Sequence, residues 1–192
     1  MKTELAVVVV CGLVLLMSAC ATSHYVRPDE VTEWDADYTD TDLKMLTEKM
    51  VMSLSEADLP EAGEKPTLAF LYIGNRTSQH IDTEGISDKI MVQLVKLGKF
   101  RVVDRELLMQ QAQEAALVGS QRIDVAGAVK LGGLVGADYF LTGDLFSIEK
   151  VGASKELKYY NLTMRLVDVK TSEIVWAEEK EIKKSASRGW YD

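Results

Sequence analysis

The chain has 192 residues, 47% of them hydrophobic and 27% charged, with a formal net charge of −8 at pH 7, which is ordinary for one globular domain with a sizeable core. The acidity is local: residues 21–65 carry twelve acidic side chains against four basic ones, whereas residues 66–192 carry seventeen of each. A neutral domain behind an acidic lead-in excludes a nucleic-acid partner, because phosphate binding needs a clustered basic surface.

In chain order, Met1-Lys2 is followed by an apolar stretch from Leu5 to Met17 and then by the small residues Ser18-Ala19 before Cys20. As a helix that stretch spans about 20 Å at ~1.5 Å per residue, short of the ~30 Å hydrocarbon core, so it reads as a signal peptide over residues 1–19. A cysteine directly after two small residues is what a lipid-attaching enzyme and its peptidase require. Cleavage before Cys20 and lipid on its thiol are therefore expected, although Met17 stands where such lipoboxes usually carry Leu. Similarity to bacterial lipoproteins implies, from Ala21 rather than Asp after the cysteine, transfer to the outer membrane, and more than one acyl chain makes such anchoring stable. With Cys11 removed and Cys20 lipidated, no thiol remains for a disulfide, a metal or a nucleophile.

Residues 20–39 show neither helical nor strand periodicity and predict an acidic, self-repelling tether. Trp34 and Tyr38 within it are expected to dock back onto the domain rather than contact a partner. From Asp40 the apolar positions Leu43, Leu46, Met50, Val51 and Leu54 form one helical stripe, capped by Asp40, Thr41 or Asp42. Thr67–Ile73 predicts a strand buried on both faces, followed by a polar loop from Gly74 to His80. The next helix starts near Asp82 or Thr83, presents Ile86, Ile90, Leu94 and Leu97, and stops at Gly98. Residues 100–103 predict a second strand, parallel to the first across a crossover long enough for a βαβ unit. Asp104 caps a third helix to about Leu117, and a fourth runs from Asp124 to Val135, stopping at Gly136. Strands over Tyr139–Ile148, Leu157–Val167 and Glu173–Ile182 predict an antiparallel meander. In its middle strand Tyr160, Leu162, Met164 and Leu166 face the core, and Tyr159, Asn161, Thr163 and Arg165 face outward. The expected fold class is a single α/β domain over residues 40–184, a small mixed sheet flanked by about four helices, with a C-terminal tail at 185–192.

Catalytic chemistry is hard to place. His24 lies in the tether and His80 in the first loop, so a serine nucleophile has no base. Scattered carboxylates occupy helix caps and solvent faces, which offers neither clustered metal ligands nor an evident glycosidase pair. Gly127, Gly132, Gly133 and Gly136 lie within or after the fourth helix and Gly143 within a strand, positions that suit close packing rather than a phosphate cradle. The chain is expected to be non-enzymatic, with no cofactor, no metal and no small-molecule substrate. Candidate partner contacts are Asn75, Arg76, Thr77 and His80 in the loop, and Tyr159 and Arg165 on the outward face. The competing account of the loop is a structural turn, with Asn75 in a left-handed conformation and Arg76 paired to a carboxylate. The segment Lys180–Asp192 reads as a frayed terminus, with Lys183, Lys184, Arg188 and Trp190-Tyr191 as possible contacts.

Taken together, the lipobox, TDLKMLTEKMVMSL, FLYIGNRTSQHIDTEGISDKIMVQLVKLGKFRVVD, LGGLVGADYFLTG and YYNLTMRLVDVKTSEIVWAEEKEIKK resemble the LpoB family of outer-membrane lipoproteins, over residues 40–184. The most specific strings are Gly74-Asn75-Arg76-Thr77 and Gly136-Ala137-Asp138-Tyr139 in combination. The resemblance implies a fold similar to the N-terminal domain of TolB. It also implies an activator that docks on a class A penicillin-binding protein, a peptidoglycan synthase, and stimulates its polymerisation step. Well-known members have a longer, Pro-rich tether. The short one here implies a partner that reaches further outward, or another role at the outer membrane, such as a structural component of an assembly or secretion complex.

Overall fold

Residues Thr67–Arg76 form the strand β1, whose side chains alternate between two separate cores, and that double burial organises everything around it. The computed structural model describes residues 35–59, 65–115, 125–152 and 154–187. Cys20, Trp34, the predicted helix positions Leu117 and Asp124, and the tail residues Arg188, Trp190 and Tyr191 lie outside the described residues. The elements are α1 (Asp40–Glu56), β1, α2 (Thr83–Leu97), β2 (Arg101–Val102), α3 (Arg105–Glu114), α4 (Val125–Val135), β3 (Tyr139–Val151), β4 (Lys155–Asp168) and β5 (Ile174–Ser187). One sheet has the order β2-β1-β3-β4-β5, with β1 parallel to β2 and β3, and β3, β4 and β5 antiparallel. This is the predicted α/β class: a parallel start, an antiparallel meander and four helices among the described residues.

On one face Leu68, Phe70, Leu141, Tyr160, Leu162 and Leu166 pack beneath α1 and α2, which supply Leu46, Met50 and Leu54, and Ile86, Ile90 and Leu94. Each such side chain contributes about 1.5–3 kcal/mol by leaving water. The predicted stripes therefore hold, except that Leu97 is 40% exposed. On the other face α3 and α4 bring Leu108, Ala112 and Leu131 onto Ala69, Leu71 and Phe140. A Cβ on Gly132 would lie 2.7 Å from Val169, so its bare backbone lets α4 approach the sheet.

Several boundaries differ from the expectation. α1 is capped by Thr39 rather than Asp40, Thr41 or Asp42, because the Asp42 carboxylate turns back to accept the Thr39 N–H at 2.9 Å while Thr39 Oγ1 accepts the Asp42 N–H at 3.4 Å, a reciprocal capping box. Lys99 Nζ closes its other end by donating to the carbonyls of Ala57 and Ser55. β1 continues through Gly74 to Arg76, shortening the predicted loop, and β2 is only two residues long. β5 runs to Ser187, so the first part of the predicted frayed tail is paired strand along β4. As an edge strand it carries Glu179, Lys180, Glu181 and Lys183, charges that discourage further strand addition.

Gly143 is buried in the middle of β3, where a Cβ would stand 2.7 Å from the Thr163 carbonyl oxygen and 2.9 Å from Met164 Cγ. Gly143→Ala should therefore push β3 and β4 apart, destabilising the domain by about 1–3 kcal/mol. Chemical denaturation checks this, and a midpoint equal to that of the native chain would refute the close-approach account.

Candidate partner-docking face

Residues 35–39, assigned from the sequence to the tether, are instead a strap packed on the domain. Ala36 is 1% exposed, and its carbonyl accepts from Tyr160 Oη at 3.3 Å. The Tyr38 ring meets Tyr160 edge-on at 5.8 Å, so Tyr38 docks back as expected. The Asp37 carboxylate is gripped by Lys158 Nζ and Gln79 Nε2, and Lys184 Nζ donates to the Asp37 carbonyl at 2.6 Å and to Asp42 Oδ2 at 3.0 Å. Lys158, Lys184 and Asp42 are all buried, so each charge must be paired to be tolerated there. Lys184, expected in a frayed tail, thus ties β5 to the strap and α1.

These contacts perturb the titrating groups in opposite senses. Burial opposes the charge on Lys158, but its hydrogen bonds to Asp37 and Glu156 outweigh that and hold it above the ordinary lysine value. The same Lys158 bond holds the Asp37 carboxyl below its ordinary value. Burial pushes the Tyr160 phenol up to about 12.

The predicted contact residues divide into three groups. Asn75 and Thr77 build the turn: Asn75 Nδ2 donates to the carbonyls of Gln79 and Ile81 at 3.0 and 3.1 Å, and Asn75 Oδ1 accepts from the Thr77 N–H and hydroxyl. Asn75 does so from extended strand backbone, not from a left-handed conformation; Ser172, φ 63°, is the non-glycine residue with positive φ among the described residues. His80 is exposed on the strap side, lining a cavity of ≈ 660 Å³ with Tyr38, Asp40 and Asp82. Arg76, Tyr159 and Arg165 share the outward sheet face without touching one another, and Arg76 has no ion-pair partner among the described residues.

That face is set by register. Arg76 lies beside Phe146, Phe146 beside Asn161, and Asn161 beside Glu181; Tyr159 lies between Ile148 and Lys183, and Arg165 beside Thr142. Phe146 and Tyr159 rings are 6.1 Å apart, and Ile148 is 60% exposed. Tyr159 Oη donates to Glu181 Oε1 at 2.6 Å, a bond that raises the phenol above its ordinary value. Asn161 Nδ2 bridges Tyr159 Oη and Glu179, both at 3.3 Å, and Thr163 Oγ1 donates to Asn161 Oδ1. Asn161, expected to face solvent, is 2% exposed because this network closes over it. Arg165 reaches Asp144 at 3.7 Å with its side chain 49% exposed. The result is an aromatic and aliphatic centre held rigid by hydrogen bonds and rimmed by charge, the composition of a protein-contact surface. Phe146, Ile148 and the Asn161 network were not singled out from the sequence. Their alternation along β3 was a signal, but pairing had to be known before they joined Tyr159.

A family model described as peptidoglycan-synthase activator LpoB matches residues 42–182. The chain belongs to the LpoB family. Its fold is that of the LpoB C-terminal domain. The domain from Salmonella enterica aligns with a TM-score of 0.59 at 20% identity, covering 74% of this chain and 99% of that one. The Escherichia coli domain gives 0.59 at 22%, with the same coverage. Lipoprotein GNA1162 from Neisseria meningitidis gives 0.51 at 14%, covering 63% of this chain and 84% of that one. No curated protein matches the chain. Among the described residues no group of acidic, His and Cys side chains could hold a metal ion, and no helix is long and apolar enough to cross a membrane.

The strap carries a pH dependence. A carboxyl held below its ordinary value stabilises the fold above its unfolded pKa and loses that contribution as pH falls through the folded one. The difference in melting temperature between the native chain and Asp37→Asn should be constant from neutrality to about pH 5, then close as the pH falls below about 4. Thermal melts across that range test it, and a difference that persisted in acid would show that the Asp37 charge does not hold the strap.

Proposed function

We propose that this LpoB-family chain is a non-catalytic regulator, anchored by lipid on Cys20 to the outer membrane and facing the periplasm, which docks on a class A penicillin-binding protein and activates its peptidoglycan synthesis. The observation that carries this reading is the open face of β3, β4 and β5, where Phe146, Ile148 and Tyr159 form an apolar centre flanked by Arg76 and Glu181, with Arg165 further along β4 on the same face. It occurs in a chain whose family is described by peptidoglycan-synthase activation. Activation of a separate synthase requires a binding surface, and needs no catalytic group in the activator itself.

The strap bears on where that partner must be. With residues 35–39 on the domain, fourteen residues separate it from Cys20, a reach of about 50 Å at ~3.3–3.6 Å per residue when fully extended. The docking surface of the synthase therefore has to rise toward the outer membrane, in line with the short tether expected from the sequence.

The full chain in detergent should bind the class A penicillin-binding protein of the same cell and increase its glycan-chain output. Phe146→Ala or Tyr159→Ala should weaken binding about tenfold or more, as truncation of an interface anchor does, and lower the output in parallel. Absence of binding by the native chain at micromolar concentration would refute the reading. Separately, Cys20→Ala should abolish incorporation of labelled palmitate, and label retained by that variant would overturn the anchor assignment.

A further inference from the structure

Where α4 ends its cover of the sheet, a cavity of ≈ 380 Å³ opens between the helix and the strands. Its apolar lining comes from Leu71, Ala128, Val129, Phe140 and Val167. The cavity has two structural causes. Gly132 seats α4 tightly over Phe140 and Val169, which fixes the preceding turn, Ala128 and Val129, beside the strands that line the cavity. The register shift in β1 between Phe70 and Ile73 inserts an extra residue opposite β3, and such a bulge splays the strand locally. At the mouth stand the hydroxyl of Thr142, donating to the Tyr72 carbonyl at 3.4 Å, and the guanidinium of Arg165.

Arg165 decides what the cavity accepts. Its guanidinium has five N–H donors. Its ion pair among the described residues is the long, half-exposed contact with Asp144 at 3.7 Å, a geometry that holds the guanidinium only weakly. Donors are therefore available to a second carboxylate, for which the guanidinium fork suits a two-bond geometry. The apolar lining beneath calls for a hydrocarbon or aromatic body, and the volume is in the range of pre-formed ligand sites, roughly 300–1,000 Å³. The cavity is also continuous with the docking face through Arg165, which lies two residues along β4 from Thr163 and four from Asn161.

We infer that this cavity is the anchor point of the docking face: it takes one aromatic or branched aliphatic side chain of the partner protein, and Arg165 binds a carboxylate beside that side chain on the same partner segment. The inference rests on the synthase-docking reading and specifies the chemistry the partner must present. Burying one such side chain in a pocket and pairing one desolvated carboxylate are the two contributions that make an interface anchor. Phe146, Ile148 and Tyr159 then form a flatter second contact, four to six residues further along β3 and β4 from the cavity.

The test compares variants of the full chain in detergent for affinity toward the class A penicillin-binding protein of the same cell, by titration calorimetry. Val129→Trp fills the cavity from the partly exposed side of α4, and Arg165→Glu reverses the charge at its mouth. Each should weaken binding tenfold or more, whereas Lys89→Glu, exposed on α2 over the opposite sheet face, should leave it within about twofold. If Val129→Trp lowers the melting temperature and is uninformative, Ile174→Asp, an exposed position on the cavity rim, replaces it with the same expectation. Folded cavity variants that bind like the native chain, with Phe146→Ala still weakened, overturn the anchor inference and leave the docking reading in place. Equal weakening by Lys89→Glu shows a non-specific charge effect and also overturns it. Failure of the native chain to bind overturns both.

Discussion

The four helices among the described residues do not cover both faces of the five-stranded sheet in full, and the packing of this domain follows from how that shortage is resolved. α1 and α2 lie over one face and bury a continuous core that reaches from Leu68 on β1 to Ile182 on β5. α3 and α4 lie over the other, where Leu108 and Leu131 meet Ala69, Leu71 and Phe140. Among the described residues no helix lies over the outer face of β4 and β5. An antiparallel sheet tolerates one open face if its side chains satisfy one another, and Tyr159, Asn161, Thr163, Glu179 and Glu181 do so through a single hydrogen-bonded network.

The covered side of the meander has the opposite problem. Its strands are long, and beyond Tyr160 and Ile182 the inward positions are Lys158 and Lys184 rather than apolar residues. The strap resolves this by bringing acceptors to them: the Asp37 carboxylate to Lys158, and the Asp37 carbonyl with the Asp42 carboxylate to Lys184. Asp42 serves twice, as the Thr39 capping partner and as the Lys184 counter-ion. One carboxylate thereby joins the start of α1 to the last strand. The same contacts fix residues 35–39 in a defined place beside β4 and the start of α1.

Much of the architecture was legible in the sequence because it is written in local periodicity. The apolar stripe of α1, the cap Asp82 and stop Gly98 of α2, the doubly buried β1 and the alternation of β4 each depend on residues within one element. The features that local pattern does not fix are those that a distant residue decides. Thr39 caps α1 through its reciprocal bonds with Asp42, whose carboxylate is at the same time held by Lys184, 142 positions away. Residues 35–39 looked like tether because their partners, Tyr160, Lys158 and Lys184, lie on strands far along the chain.

The candidate site divides along the same line. The sequence by itself determined its ingredients: a polar loop after a buried strand, Tyr159 and Arg165 on an outward face, and a family likeness carried by contiguous strings. The tertiary structure alone decided how they are grouped. Hydrogen bonds within the loop drew Asn75 and Thr77 into building the turn, and His80 turned to the strap side. Strand register carried Arg76 to Phe146 and set Phe146 and Ile148 on the open face that Tyr159 and Arg165 share. The physical reason is that side-chain alternation is a property of one strand, whereas which strand lies beside it, and which half of the sheet a helix reaches, depends on packing across the whole domain.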